Sequence, residues 1–395
     1  MVRALSLKDL LGPNDREIFL AEYWENRPLS VIRSAPDYYA GLLSLDEVDA
    51  LIGLHDLPQG SLRLLRDGDE VPSREVNRDA AFRHFGTGGT LAVNGLQSHF
   101  PRIAELSVNL GSELSCRIQA NIYLTPQNGQ GFVEHYDDHD VFILQVVGHK
   151  EWSVYGEPQR PLPLRGQTHQ KTAEIPTPAH GPAVIESTLR QGDLLYIPRG
   201  FVHTARSTDA TSLHITLGIH SPTWSDVFAG ALKRLVDQDV RFRRSLPVGI
   251  AGTSPEPRHR AAEIARELRK ALGELPLDAT IDEMVDAQKA GAQPLIGPRL
   301  TDIEAARRLT PQSRIARRDG VRIEVRPGER MWVLRFNQKT LEWPETADTL
   351  AQFVASAEEF VISDAPQDLG PAGVASCIES LVREGAFRVL QAEPS

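Results

Sequence analysis

GQGFVEHYDDHDVFILQVVGHKEWSVYG, residues 129–156, decides how this chain is read. Its second half is two short apolar runs, DVFILQVV and KEWSVY, separated at Gly148. That pattern predicts two strands and a turn. Its first half carries His135 and Asp137, two residues apart. On a strand these side chains point to the same face. A histidine and a carboxylate at that spacing make a compact two-ligand unit for a metal, which needs a third ligand from elsewhere. His139 shares the same parity and is read as a pocket residue, with a fourth ligand as the alternative. Asp138 points the other way.

The third ligand comes from RQGDLLYIPRGFVHTARS, residues 190–207. Gly192 and Pro198 bracket a strand, Pro198, Arg199 and Gly200 make a turn, and His203 follows. The spacing matches the second motif of the cupin superfamily, and Gly129, His135, Asp137 and Gly148 resemble the first. Where many cupins carry a fourth ligand, this chain has Val141. Two histidines and one carboxylate leave three coordination positions open, as a non-haem Fe(II) oxygenase requires for co-substrate and O2. Structural zinc sites are closed and usually use cysteine. An isolated His-x-Asp is common by chance; the second motif gives it weight.

Outward from these motifs, residues 60–220 have a β texture. SCRIQANIYLTP, GDLLYIP and SLHITLGIH are short branched and aromatic runs between turn residues. Many short strands without long intervening helices predict a barrel or sandwich. Before them, REIFLAEYWENRP has helical spacing, LSVIRS reads as a strand, and SLDEVDALIG opens on a Ser44–Glu47 capping box. After Pro222, SDVFAGALKRLVDQDVRFRRSL, AAEIARELRKALGEL and IDEMVDAQKAG are helical. From about 312, VRIEVR, RMWVLRF and TLEW read as strands, followed by helices around ETADTLAQFVAS and GPAGVASCIESLVREG. The expected organisation is a catalytic barrel with its N-terminal extension over 1–221, a helical region over 222–311, and a winged-helix-like unit over 312–395.

Bulk properties narrow the class. The 395 residues exceed one ordinary core, and the formal charge is -10. An acidic surface disfavours nucleic acid and suits a basic protein partner. Residues 341–395 carry ten carboxylates against Arg383 and Arg388, which argues against DNA binding by the winged-helix-like unit. The two cysteines, Cys116 and Cys377, suggest no disulfide framework. No run is long and apolar enough for a membrane span, and the N-terminus has no signal-peptide core. A soluble, cytoplasmic protein is expected.

With these motifs in place, the sequence resembles the JmjC-domain ribosomal oxygenases. It is closer to the histidyl hydroxylases of ribosomal proteins than to the bacterial arginyl hydroxylase, because HYDD is intact. FLAEYWENRPLSVIR, ANIYLTPQNGQGFVEHYDDHDVFILQVVGHKEWSVY and GDLLYIPRGFVHTARS with SLHITLGI carry the likeness. The fold it implies is a mainly β, cupin-type double-stranded β-helix, followed by a helical dimerisation region and a C-terminal winged helix. The cofactors implied are Fe(II) on His135, Asp137 and His203, with 2-oxoglutarate and O2 as co-substrates. Lys150, fifteen positions past the first ligand, would bind the distal carboxylate of 2-oxoglutarate. Asn121, fourteen before it, would contact the co-substrate, and Thr216 and His214 are weaker pocket candidates. His149 stands where the family often has Arg or Glu, so the groove, and with it the substrate, stays open.

The activity expected is hydroxylation of a protein side chain in a ribosomal or other basic protein. The same iron chemistry on a small molecule or peptide natural product is the alternative. A non-enzymatic cupin-like binding protein fits less well with a complete triad plus Lys150. Val227, Phe228, Leu232 and Leu235 form one apolar stripe, and Ile264, Leu268 and Leu272 another. The resemblance places a two-fold dimer interface there, so a homodimer is expected.

Overall fold

Between Leu29 and His220 the chain folds into strands β1 (Leu29–Val31), β2 (Leu62–Arg66), β3 (Asp69–Glu70), β4 (Thr90–Asn94), β5 (Arg117–Thr125), β6 (Asp140–Val147), β7 (His149–Pro158), β8 (Ala183–Arg190), β9 (Leu194–Ile197), β10 (Phe201–Arg206) and β11 (Ser212–His220). The computed structural model describes residues 5–167, 182–289, 299–318, 321–337 and 339–390. The large sheet has the order β1-β9-β6-β11-β5-β4-β2-β3, and a smaller one the order β10-β7-β8. Every pairing in both is antiparallel. The expected β-rich core is therefore present.

Alternation along the strands decides what the large sheet covers. Ile118, Ala120, Ile122 and Leu124 of β5, with Leu213, Ile215, Leu217 and Ile219 of β11, join a core with the N-terminal helices. Those helices supply Leu7, Leu10, Leu11, Val48, Leu51, Ile52, Ile103, Leu106 and Leu110. The intervening residues Gln119, Asn121, Tyr123, His214 and Thr216 face the other way, into a cavity. A period of two thus separates a dry helical side from a polar inner side within the same strands. Between the two sheets, Val141, Ile143, Leu195 and Ile197 pack on Trp152, Val154, Leu189 and Phe201.

The capping box is formed: Glu47 N donates to Ser44 Oγ at 3.2 Å and Ser44 N to Glu47 Oε2 at 2.8 Å. The expected helix over REIFLAEYWENRP is different. Arg16–Ile18 makes one α turn and Phe19–Tyr23 continues as a π turn, closed by Trp24 N donating to Phe19 O. Aromatic packing explains the wider turn: Phe19 lies 5.0 Å from Tyr196, and Trp24 stacks on Tyr196 at 6.2 Å.

After Pro222, Trp224–Gln238, Glu256–Leu272 and Leu277–Lys289 are helices. The first is shorter than expected, because Asp239 ends it and caps a 3-10 turn over Val240–Arg243. Ala290 and Gly291, the end of the last expected helix, lie outside the described residues. Val227 and Ala231 are buried by the chain itself, while Phe228 and Leu232 are 48% and 41% exposed. No residue of Glu256–Leu272 is buried.

The C-terminal region has strands β12 (Arg314–Arg317), β13 (Glu324–Pro327), β14 (Met331–Phe336), β15 (Lys339–Pro344), β16 (Glu359–Val361) and β17 (Phe387–Leu390). They form two sheets, β16-β12-β17 and β13-β14-β15, around a core shared with helices Asp348–Ser356 and Gly370–Glu384. The expected strand over VRIEVR pairs only from Glu324, because Val321 and Ile323 turn into that core. The sheet on β12 has no counterpart in the sequence reading. Arg317 of β12 is buried, with its guanidinium donating to the carbonyls of Val354, Ala355 and Ala357 at the end of Asp348–Ser356.

Candidate metal centre

His135 does not lie on a regular strand, contrary to the parity reading. Between Thr125 and Asp140 the chain leaves the sheet, and His135 is held there by an isolated bridge to His203. His135 N donates to His203 O at 3.1 Å, and His203 N donates to His135 O at 2.8 Å. Gly200 N donates to Asp137 O at 2.9 Å. The two motifs are therefore bonded to each other backbone to backbone, which brings residues 68 positions apart into one site. Gly200 makes the turn possible at φ 87°, where a Cβ would also lie 2.0 Å from Arg160 O.

One ligand atom from each of His135, Asp137 and His203 falls within 4.8 Å of the others. His135 Nδ1 lies 2.8 Å from Val133 O, and His203 Nδ1 lies 3.0 Å from Phe201 O. Each ring thus donates its Nδ1–H to a carbonyl, which leaves Nε2 as the lone-pair donor. Burial, reinforced by His135, pushes His203 down to about 4, so it is neutral and able to ligate at physiological pH. Burial alone would raise Asp137, but the imidazoles of His139, His135 and His203 outweigh it and hold the carboxyl below its ordinary range. The donor set fits a divalent cation with open positions.

The triad opens into a cavity of about 210 Å³, also lined by Lys150, Asn121, Thr216, His214 and His139. Lys150 is 4% exposed and donates to Thr125 Oγ1 at 2.9 Å. No carboxylate pairs with it among the described residues, and burial drives its ammonium down to about 7. Asn121 Oδ1 accepts from Gly95 N at 3.1 Å, so its NH2 is the group it has to offer a ligand. Thr216 sits directly across from Asn121 on β11, and His214 across from Tyr123. His139 is not one of the clustered donors; it bonds to Asp138 Oδ1 at 2.9 Å and stacks on His220 at 4.6 Å.

Sequence reasoning missed several residues. Tyr123 and Trp152 line the cavity, and parity carried the signal: each is two positions from a residue already singled out, Asn121 and Lys150. Among the described residues, Trp152 Nε1 and His214 Nδ1 are buried without a hydrogen-bond partner. A buried ion cluster carried no local signal. Arg199 Nη1 lies 2.8 Å from Asp140 Oδ2 and 2.6 Å from Glu25 Oε1, and Arg199 N donates to Asp140 Oδ1 at 3.1 Å. It ties the turn before His203 to the start of β6. Removing one partner leaves a buried charge, so Asp140→Ala is expected to lower stability by about 3 kcal/mol, read in urea unfolding. An unchanged midpoint would show that Glu25 alone suffices for Arg199.

Residues 96–227 match the family model of the JmjC domain. The chain carries a JmjC domain. Curated relatives extend beyond it: ribosomal oxygenase 1 of Rattus norvegicus is 32% identical over 321 residues, covering 75% of this chain and 52% of the relative. The bifunctional lysine-specific demethylase and histidyl-hydroxylase NO66 of Aedes aegypti is 29% identical over 313 residues, covering 72% and 48%. The chain spans about half the length of the curated relatives it matches. Among solved structures, E. coli ycfD aligns over 95% of this chain and 98% of its own, with a TM-score of 0.58 and 18% identity. The same protein in complex with cobalt and 2-oxoglutarate aligns over 96% and 99% at 0.54 and 17%. At that identity the likeness shows the fold. The JmjC match contains β5 to β11 and every cavity residue singled out from β5 onward.

Proposed function

We propose that this JmjC protein is an Fe(II)- and 2-oxoglutarate-dependent oxygenase that hydroxylates a side chain of a ribosomal or other basic protein. The observation that carries the reading is a buried, unpaired ammonium in the same cavity as a two-histidine, one-carboxylate triad. A buried cation without a counter-charge is costly, so the cavity is built to receive an anion. A dicarboxylate suits it, with one end for Lys150 and Thr125 and the other near the metal. His135, Asp137 and His203 would hold Fe(II), which with bound 2-oxoglutarate supplies oxidation of an unactivated C–H bond. The chain's own residues bind and orient. The carbonyls of Val133 and Phe201 fix the two imidazoles, Asn121 and Thr216 flank the co-substrate, and Trp152, Tyr123 and His214 wall it from water.

The substrate class is supported by the relatives named histidyl-hydroxylase and ribosomal oxygenase and by the charge of -10. Incubating the iron-loaded protein with 2-oxoglutarate and ribosomal proteins should yield succinate and a one-oxygen mass gain on one of them. Succinate formation stimulated only by small molecules or short peptides would move the assignment to the alternative substrate class. No stimulated or basal succinate at all would favour a binding protein.

We also assign a homodimer to the helical region. No residue of helix Glu256–Leu272 is fully buried, and Phe228 and Leu232 stand exposed. An isologous pairing would cover both. Light scattering should give about twice 43.7 kDa, and charged substitutions at Leu232 and Leu235 should halve it. A monomer at micromolar concentration would remove the interface. The C-terminal sheets and helices are read as a structural winged-helix-like module without nucleic-acid binding, given their acidic balance. Cys116 and Cys377 are both buried and unpaired, which suits a reducing cytoplasm. Among the described residues no helix is long and apolar enough to cross a membrane.

A further inference from the structure

Arg63 lines the metal cavity, yet neither the triad nor the pocket around Lys150 uses it. It stands on β2 across from Ala92 of β4, which faces Tyr123 of β5, which faces His214 of β11. These four make one rung across the inner face of the large sheet, and Ala92 is its short member. Phe132 bridges the longer side chains on either side of Ala92. Its ring centre lies 5.3 Å from the Arg63 guanidinium carbon and 5.8 Å from the Tyr123 ring, which it meets edge to face. The same ring lies 5.0 Å from the His135 imidazole. A guanidinium is thus one contact removed from a metal ligand.

The guanidinium is itself held. Arg63 Nε donates to Glu70 Oε1 at 2.8 Å and Nη2 to Glu70 Oε2 at 2.6 Å, a two-pronged pairing within the β2–β3 hairpin. The hairpin turn is also bonded to the loop that carries the ligand. Asp67 N donates to Gln130 O at 3.0 Å, and Gly68 N donates to Gly131 O at 2.8 Å. Gly68 has φ 90°, and a Cβ there would come within 2.9 Å of Val133 Cγ2. Val133 O is the acceptor for His135 Nδ1. Backbone and side-chain contacts from one hairpin therefore converge on residues 130–133, just ahead of His135. The two histidines differ in this need. His203 belongs to β10 and is fixed by its pairing with β7, whereas His135 has a single isolated bridge.

We propose that the β2–β3 hairpin clamps the metal loop and that Arg63 is a positioning residue, acting through Phe132 on the orientation of His135. Glu70 fixes the guanidinium, the guanidinium fixes the Phe132 ring, and the ring sets the imidazole for the cation. This rests on the metal-centre reading and adds to it the outer support that a ligand in a loop requires.

The test is titration of the full chain with cobalt(II) alone, followed by visible absorption, which reads ligand geometry as well as affinity. Arg63→Met should weaken cobalt binding by roughly three- to tenfold and alter the band shape. Arg63→Lys keeps a cation beside the ring and should stay within about twofold of the wild type. Phe132→Leu should weaken binding at least as much as Arg63→Met does. Adding Arg63→Met to Phe132→Leu should then cost little more, because both act along one route. Circular dichroism of the metal-free variants checks that each is folded. Unchanged affinity and spectrum in Arg63→Met overturns the clamp, and so do fully additive losses in the double variant. A wild type that binds no cobalt removes the metal centre and the clamp with it, so the two failures are told apart.

Discussion

Asp137→Ala is expected to abolish iron-dependent turnover of 2-oxoglutarate, as are His135→Ala and His203→Ala. Each removes one of three donors that converge within 4.8 Å. The loss should exceed the ten- to hundredfold that follows removal of a supporting hydrogen bond. Asp137 is the most revealing position because Asp138 is its neighbour. Asp138 cannot take over, since its two oxygens already accept from His139 Nδ1 and Gly166 N. Metal content of the purified variants and succinate formation provide the readouts. Full activity in any one of the three variants would sink the triad.

Lys150→Met should raise the 2-oxoglutarate concentration needed for half-maximal turnover more than tenfold, with metal binding nearly intact. A charge-assisted hydrogen bond is worth about 1.5–3 kcal/mol, which corresponds to that factor. A second readout does not depend on turnover. The folded-state value of Lys150 is depressed from 10.5 to about 7. Between those values the unfolded chain holds a proton that the folded chain lacks. Stability without ligand therefore falls as pH drops from 10.5 towards 7, then levels off. Lys150→Met removes this penalty and should stabilise the ligand-free protein at pH 7, by an amount that shrinks as pH rises. Adding 2-oxoglutarate should reverse the order, because only the wild type gains a counter-charge. An unchanged 2-oxoglutarate titration would hand the role to another basic residue.

Local spacing was enough to pick out the three clustered donors and the β-rich class of the fold. His135, Asp137 and His203 stood out because ligand type and turn glycines are written in local spacing. Alternation in SLHITLGIH and ANIYLTP likewise told which side chains share a face, since a strand's period of two is a local property. Local spacing failed where the geometry depended on a partner far along the chain. The spacing predicts His135 on a strand, but it lies between strands and its backbone bonds to His203 of β10, a contact no window around residue 135 contains. The Asp140–Arg199–Glu25 cluster, the buried Arg317 under the end of a helix, and the π turn at Phe19 were decided by packing against distant residues. Only the tertiary structure could leave Lys150 without a counter-charge, because burial and pairing depend on which segments meet when the sheets close.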